Sequence, residues 1–160
     1  MKQENPLEIQ SILTNAVNKI RQEQLKTSPQ LTLGELILKL EAIKNPKLLV
    51  VFDIKKYHPI GVDSWRGAYN ELALEYDDKT EPMILSDFLK ILKNTIGKTL
   101  MGYKGGDFLM GKTTPVWVAN YGECKGFRNH DTAVIDVIEQ KSVVIIKTTK
   151  EIDYLYNGKN

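Results

Sequence analysis

The stretch Gly106-Asp107-Phe108-Leu109-Met110-Gly111-Lys112-Thr113-Thr114-Pro115-Val116-Trp117-Val118 decides the fold class. Its first eight residues satisfy G-x-x-x-x-G-K-T, the pattern in which a loop presents backbone amides and a lysine to phosphate. Such a loop leaves a buried strand and enters a helix whose dipole faces the phosphate. Here Thr114, Pro115, Val116, Trp117 and Val118 follow, which is strand sequence. The interior Phe108, Leu109 and Met110 is also too apolar for a phosphate cradle. A nucleotide-hydrolase fold is therefore set aside, and no turnover of nucleoside triphosphates is expected. Gly102, Gly105, Gly106 and Gly111 are read as turn and bulge residues between antiparallel strands.

Outward from this stretch, β-rich pieces predict strands at 99–103, 107–110, 115–120, 132–138 and 143–149. The last two form a hairpin across Glu139, Gln140, Lys141 and Ser142. Upstream, Leu48 to Phe52 is an apolar run fit for a strand buried on both faces. A long loop is expected through Tyr57, His58, Pro59 and Gly61. Residues 64–69 and 71–76 then read as a strand pair, or a strand and a bend, pivoting on Gly67. Between these halves a helix starts at Ser86, placed to cap the next amides, and stops at Gly97. Two helices precede everything. In the first, Leu7, Ile9, Ile12, Leu13, Ala16, Val17 and Ile20 recur at helical spacing; the second opens on a Thr32–Glu35 capping box. The order α, α, β, β, β, α and then several β predicts an α+β fold. It would have a mainly antiparallel sheet, one central helix packed on it and two amino-terminal helices. Up to Leu49 there is no aromatic residue and one glycine, whereas the remainder carries all 13 aromatics and 10 glycines. That shift predicts a helical extension at 1–46, a ligand-binding core at 47–150 and a short tail at 151–160.

With 160 residues, 42% hydrophobic and 26% charged, the chain is expected to be one soluble globular domain, which excludes disordered and collagen-like classes. A balance of 22 basic against 20 acidic side chains excludes capture of duplex nucleic acid or a membrane surface by bulk charge. No apolar stretch approaches the ~18 residues of a membrane span, and the amino terminus lacks a signal-peptide core. The single cysteine, Cys124, permits no internal disulfide, so a reducing cytoplasm is the expected setting. The aliphatic stripe of the first helix has no aromatic neighbour to cover it, and a homo-oligomer is expected on that ground.

Three segments are candidate sites. In Ser64-Trp65-Arg66-Gly67-Ala68-Tyr69 a guanidinium sits between two aromatics, although arginine is scarce: Arg21, Arg66 and Arg128 stand against 19 lysines. Its planar fork suits phosphate or a base, while Trp65 and Tyr69 offer stacking faces. On an extended strand Arg66 points away from both, so a shared pocket needs a kink at Gly67. The competing reading buries the aromatics and pairs Arg66 with Glu71 or Glu75. In the second segment, Tyr103 offers a face, Lys104 a point charge, and Gly105 with Gly106 open amides for an anion; a plain hairpin turn explains the same residues. In the third, Trp117 lies on a strand and the Asn120 amide is able to read a base edge, or to form a turn. Catalytic groupings are poor. His58 and His130 lack metal-ligand spacing, a Cys124, His130 and Asp131 nucleophilic site has no defined geometry, and Asp63 with Glu71 or Glu75 is explained by solvated charge. No catalytic residue, metal or cofactor is expected.

The motifs S-W-R-G-A-Y at 64–69, A-L-E-Y at 73–76, G-Y-K-G-G at 102–106 and P-V-W-V-A-N-Y-G at 115–122 resemble a pattern shared by small proteins of tailed bacteriophages. The span from Val50 to Lys147 covers 98 of the 160 residues and leaves out the two amino-terminal helices. The group it resembles is the viral sponge proteins, which sequester cyclic nucleotide signals of bacterial anti-phage immunity. The resemblance implies a non-enzymatic anti-defence protein in the infected host cytoplasm and transfers no ligand contact residue by residue. From the residues themselves, Arg66 and Lys104 would hold phosphates, Trp65, Tyr69, Tyr103 or Trp117 would stack, and Asn120 would read a base. Two cations suit a small cyclic nucleotide better than a polymer, which needs a basic track. The alternative is a protein-binding inhibitor of a host enzyme or defence protein, with Trp65, Arg66, Tyr69 and Trp117 as hot spots.

Overall fold

A computed structural model describes residues 5–149. The elements run α1 (Pro6–Leu25), α2 (Leu33–Glu41), β1 (Leu49–Phe52), β2 (His58–Ser64), β3 (Leu72–Asp77), α3 (Leu85–Thr95), β4 (Thr99–Met101), β5 (Asp107–Leu109), β6 (Val116–Val118), β7 (Val134–Glu139) and β8 (Val143–Thr148). The class is α+β, with three helices among the described residues. The tail expected at 151–160 lies outside the described residues.

The strand pairing is mainly antiparallel, as expected, but corrects the single sheet. The described residues form three sheets, ordered β1-β8-β7, β2-β3-β6 and β4-β5. The pairs β2–β3, β4–β5 and β7–β8 are antiparallel, but β1–β8 and β3–β6 are parallel. Both unexpected pairs involve short strands, β1 and β6, that are apolar on both faces, which is the pattern of parallel pairing. Leu31 fastens the two larger sheets, its amide donating to the Val134 carbonyl at 2.8 Å and its carbonyl accepting from Val116 at 3.1 Å.

Two loop and strand expectations are reversed. Residues 58–64 form β2 because a register shift between Pro59 and Gly61 accommodates the proline. Residues 65–70 form no strand: Trp65 N–H donates to Glu71 (2.8 Å), Glu71 N–H to Ala68 (2.8 Å) and Ala68 N–H to Trp65 (3.1 Å), closing a turn. Ser64 seals it through its hydroxyl to the Tyr69 carbonyl. The α3 start also differs. Ser86 lies inside the helix and Ile84 is the N-cap without a side-chain bond. The Leu48 and Pro46 carbonyls accept from Leu85 (2.8 Å) and Ser86 (3.0 Å), so the backbone does the capping. The Thr32–Glu35 capping box is present, and Gly97 follows the α3 C-cap.

Leu33, Leu36, Ile37 and Leu40 of α2 are buried in one cluster with Phe52, Phe88, Val118 and Ile146. The helix therefore belongs to the core, and the composition change near Leu49 is no packing boundary for it. By contrast, α1 has no buried residue. A smaller cluster of Trp65, Ala73, Trp117, Ala119 and Ala133 covers the other face of β3 and β6.

Candidate functional site

Trp65 and Trp117 are core residues and offer no stacking surface. Their rings lie 3.8 Å apart at 15°, with the side chains 4% and 0% exposed. Turn 65–70 folds Trp65 back over the sheet, and Gly67 permits this because any Cβ there would overlap the indole. Beneath them Trp117 Nε1 donates to Glu71 Oε1 at 2.8 Å, while Arg21 of α1 donates to Glu71 at 3.1 Å and to Gln30 at 2.6 Å. Glu71 is thus the partner of Arg21, which removes it as the expected mate of Arg66.

Arg66 turns the opposite way. Its Nη1 donates to the Gly122 carbonyl at 2.7 Å and its guanidinium lies over the Tyr103 ring, 4.8 Å from the centroid. The other guanidinium nitrogens have no hydrogen-bond partner among the described residues. Tyr103 is half-exposed and meets Tyr121 edge-on at 5.4 Å. Gly122 has φ +82°, and a Cβ there would collide with the Tyr103 ring, so the contact depends on glycine. Tyr69 stacks on Phe108 at 5.4 Å, packed beside Gly102. Three turns distant in sequence, 65–70, 102–106 and 120–123, therefore meet around one guanidinium.

Other candidates have structural work. The β4–β5 turn is a plain hairpin closed by Gly102 N–H to Gly106 and Gly105 N–H to Gly102, both 2.9 Å. These bonds use the Gly105 amide, one of the two assigned to an anion cradle; Lys104 is exposed at the tip. Asn120 takes the structural role the turn reading gave it: its Oδ1 accepts from Tyr76 N–H at 2.9 Å and its backbone N–H donates to Glu123 at 3.0 Å. Burial and the Glu123 carboxylate, which accepts from the Tyr76 hydroxyl at 3.1 Å, push that phenol up to about 12. The Gly106 to Thr113 match leads to β6 and no helix, and the Thr114 hydroxyl takes the Gly111 amide at 2.8 Å. His130 Nδ1 meets the Asp131 backbone carbonyl at 2.9 Å, so no carboxylate orients that ring.

Beside Arg66 lies a cleft of about 340 Å³ lined by Gly122, Glu123, Cys124, Lys125, Gly126 and Asn129. Sequence reasoning included Gly122 only as the end of the 115–122 motif and did not single out Lys125 as a site residue. Phe127 holds this loop by stacking on Tyr57 (5.1 Å) and tilting against Phe52 (5.4 Å), and Arg128 pairs with Asp53 at 3.0 Å. The wall carrying Lys125 is therefore anchored to the core. Among family models, curated proteins and solved structures, nothing matches the chain. The described residues contain no group of three His, Cys, Asp or Glu able to hold a metal, and no helix long and apolar enough to cross a membrane.

The carboxylates Asp63 and Glu75 occupy neighbouring strands on the face of β2–β3 that carries Ala73. Burial holds both above their ordinary range, with the Asp63 charge adding to the effect at Glu75. A raised folded pKa means the penalty is absent below the unfolded value and complete above the folded one, so stability falls as pH rises through that window. Glu75→Gln is expected to raise the melting temperature at pH 7 by roughly 2–4 °C, since partial exposure limits the effect to about 1 kcal/mol. The gain should vanish near pH 4, which melting curves at the two pH values would check.

Proposed function

We propose that this protein binds a small cyclic nucleotide and sequesters it uncleaved, as an anti-defence protein of a phage in its host. The supporting observation is that three of the sequence motifs converge on Arg66, a guanidinium half-engaged by Gly122 and backed by Tyr103. An arginine braced in this way presents its remaining donors as a fixed fork, suited to the two oxygens of a phosphate. Lys125 across the cleft supplies a second positive charge, and the exposed halves of Tyr103 and Tyr121 beside Arg66 suit a base. Relative to the sequence expectation, the stacking role passes from the tryptophans to these tyrosines.

The test is direct. Purified protein is mixed with a panel of cyclic di- and trinucleotides, washed, heated, and the supernatant analysed. Recovery of an intact ligand supports sequestration; recovery of cleavage products, or no retention of any member, overturns it. Arg66→Lys keeps the charge and loses the second bond, so affinity should fall by about 1–3 kcal/mol with the melting temperature unchanged. Equal affinity in wild type, Arg66→Lys and Arg66→Ala would take Arg66 out of the site.

A further inference from the structure

Helix α1 is amphipathic and docked the wrong way round for a monomer. Its polar side faces the body: Arg21 binds Glu71, Asn18 accepts from Asn70 at 3.0 Å, and Gln22 donates to the Thr113 carbonyl at 3.1 Å. The opposite side carries Ile9, Leu13, Ala16 and Ile20 at spacings of four, three and four, flanked by Ile12 and Val17. The five large aliphatics are 40–63% exposed. A helix that spends its polar groups inward and leaves its apolar stripe outward has a second apolar surface as its natural complement.

We propose that the occupant is α1 of a second copy of this chain, laid antiparallel across a two-fold axis. Three observations select it. The 4-3-4 spacing is that of a self-pairing helical seam, and the register setting Ile9 on Ile20 and Leu13 on Ala16 fills it from both sides. Glu8 and Lys19 lie on one edge of the stripe, and antiparallel packing, which sets like edges together, brings each Glu8 near the opposite Lys19, whereas parallel packing carries them to opposite sides of the seam; Glu23, on the same edge, is already paired with Lys26. The area suffices: five side chains at on the order of 100 Å² each give about 1,000 Å² across the pair, the threshold for a specific interface. A groove of about 430 Å³ between Leu13, Val17 and Phe108 adds room for flanking side chains. The inference stands apart from the Arg66 cleft.

Sedimentation velocity of the full chain under reducing conditions, which silence exposed Cys124, should give the mass of two chains at micromolar concentration. Leu13→Asp should give one chain with an unchanged far-ultraviolet spectrum. Glu8→Lys should weaken the dimer about tenfold, and adding Lys19→Glu should restore it, which capture of an unrelated partner would not predict. A wild-type monomer throughout, a Leu13→Asp dimer, or no rescue by the charge swap overturns the proposal.

Discussion

Trp117→Ala should lower the melting temperature by roughly 10–15 °C and should do so with no ligand present. The residue is wholly buried, stacks on Trp65 and donates to Glu71. Removing a buried tryptophan costs about 3–5 kcal/mol, and each kcal/mol displaces the transition of a chain this size by roughly 2–4 °C. Trp117→Phe keeps most of the ring and loses the donor, so a smaller loss of about 1 kcal/mol is expected from the missing hydrogen bond, because Arg21 still holds the same carboxylate oxygen. Urea and thermal unfolding of the two variants give the comparison. A tryptophan serving as a pocket wall would show the reverse, intact stability and lost binding.

Arg21→Met should cost about 3–5 kcal/mol, because it leaves a carboxylate in the interior without its cation. The side chains of Arg21 and Glu71 are only 13% and 6% exposed. Glu71→Gln added to Arg21→Met removes the stranded charge while keeping an oxygen for Trp117, so the double variant should recover most of the loss. Additive effects in urea titrations would show that the two residues do not act as a pair. Since Arg21 is the most buried anchor of α1, the single variant should also loosen that helix, read as faster amide exchange between residues 7 and 20.

The fold was legible where structure is local. The Thr32–Glu35 box, the stop of α3 at Gly97 and the β7–β8 hairpin each depend on residues within a few positions of one another. What escaped depends on distance. Nothing near Val50 signals that its partner is Val144, and nothing near Ser86 signals that carbonyls of Pro46 and Leu48 already occupy the helix start. The site divides in the same way. Arg66 is scarce in composition and stands in the cleft, with Tyr103 beneath its guanidinium. Trp65 and Trp117 looked equally unusual, but burial in a second cluster depends on a turn that folds one over the other. Arg66 was offered Glu71 by proximity in sequence; Arg21, fifty positions away, holds it instead.

The parallel β1–β8 pair joins Leu49 to Val143, which has a consequence for birth on the ribosome. At about 5–20 residues per second, some 5–20 s separate the emergence of these two strands. Throughout that interval Val50, Val51 and Phe52 form an unpaired apolar edge, open to any neighbouring chain. Closure is necessarily a late event, and a high sequence separation slows it further. Nascent chains should thus be most prone to aggregate, and most dependent on chaperones, in the stage just before residues 143–148 become available.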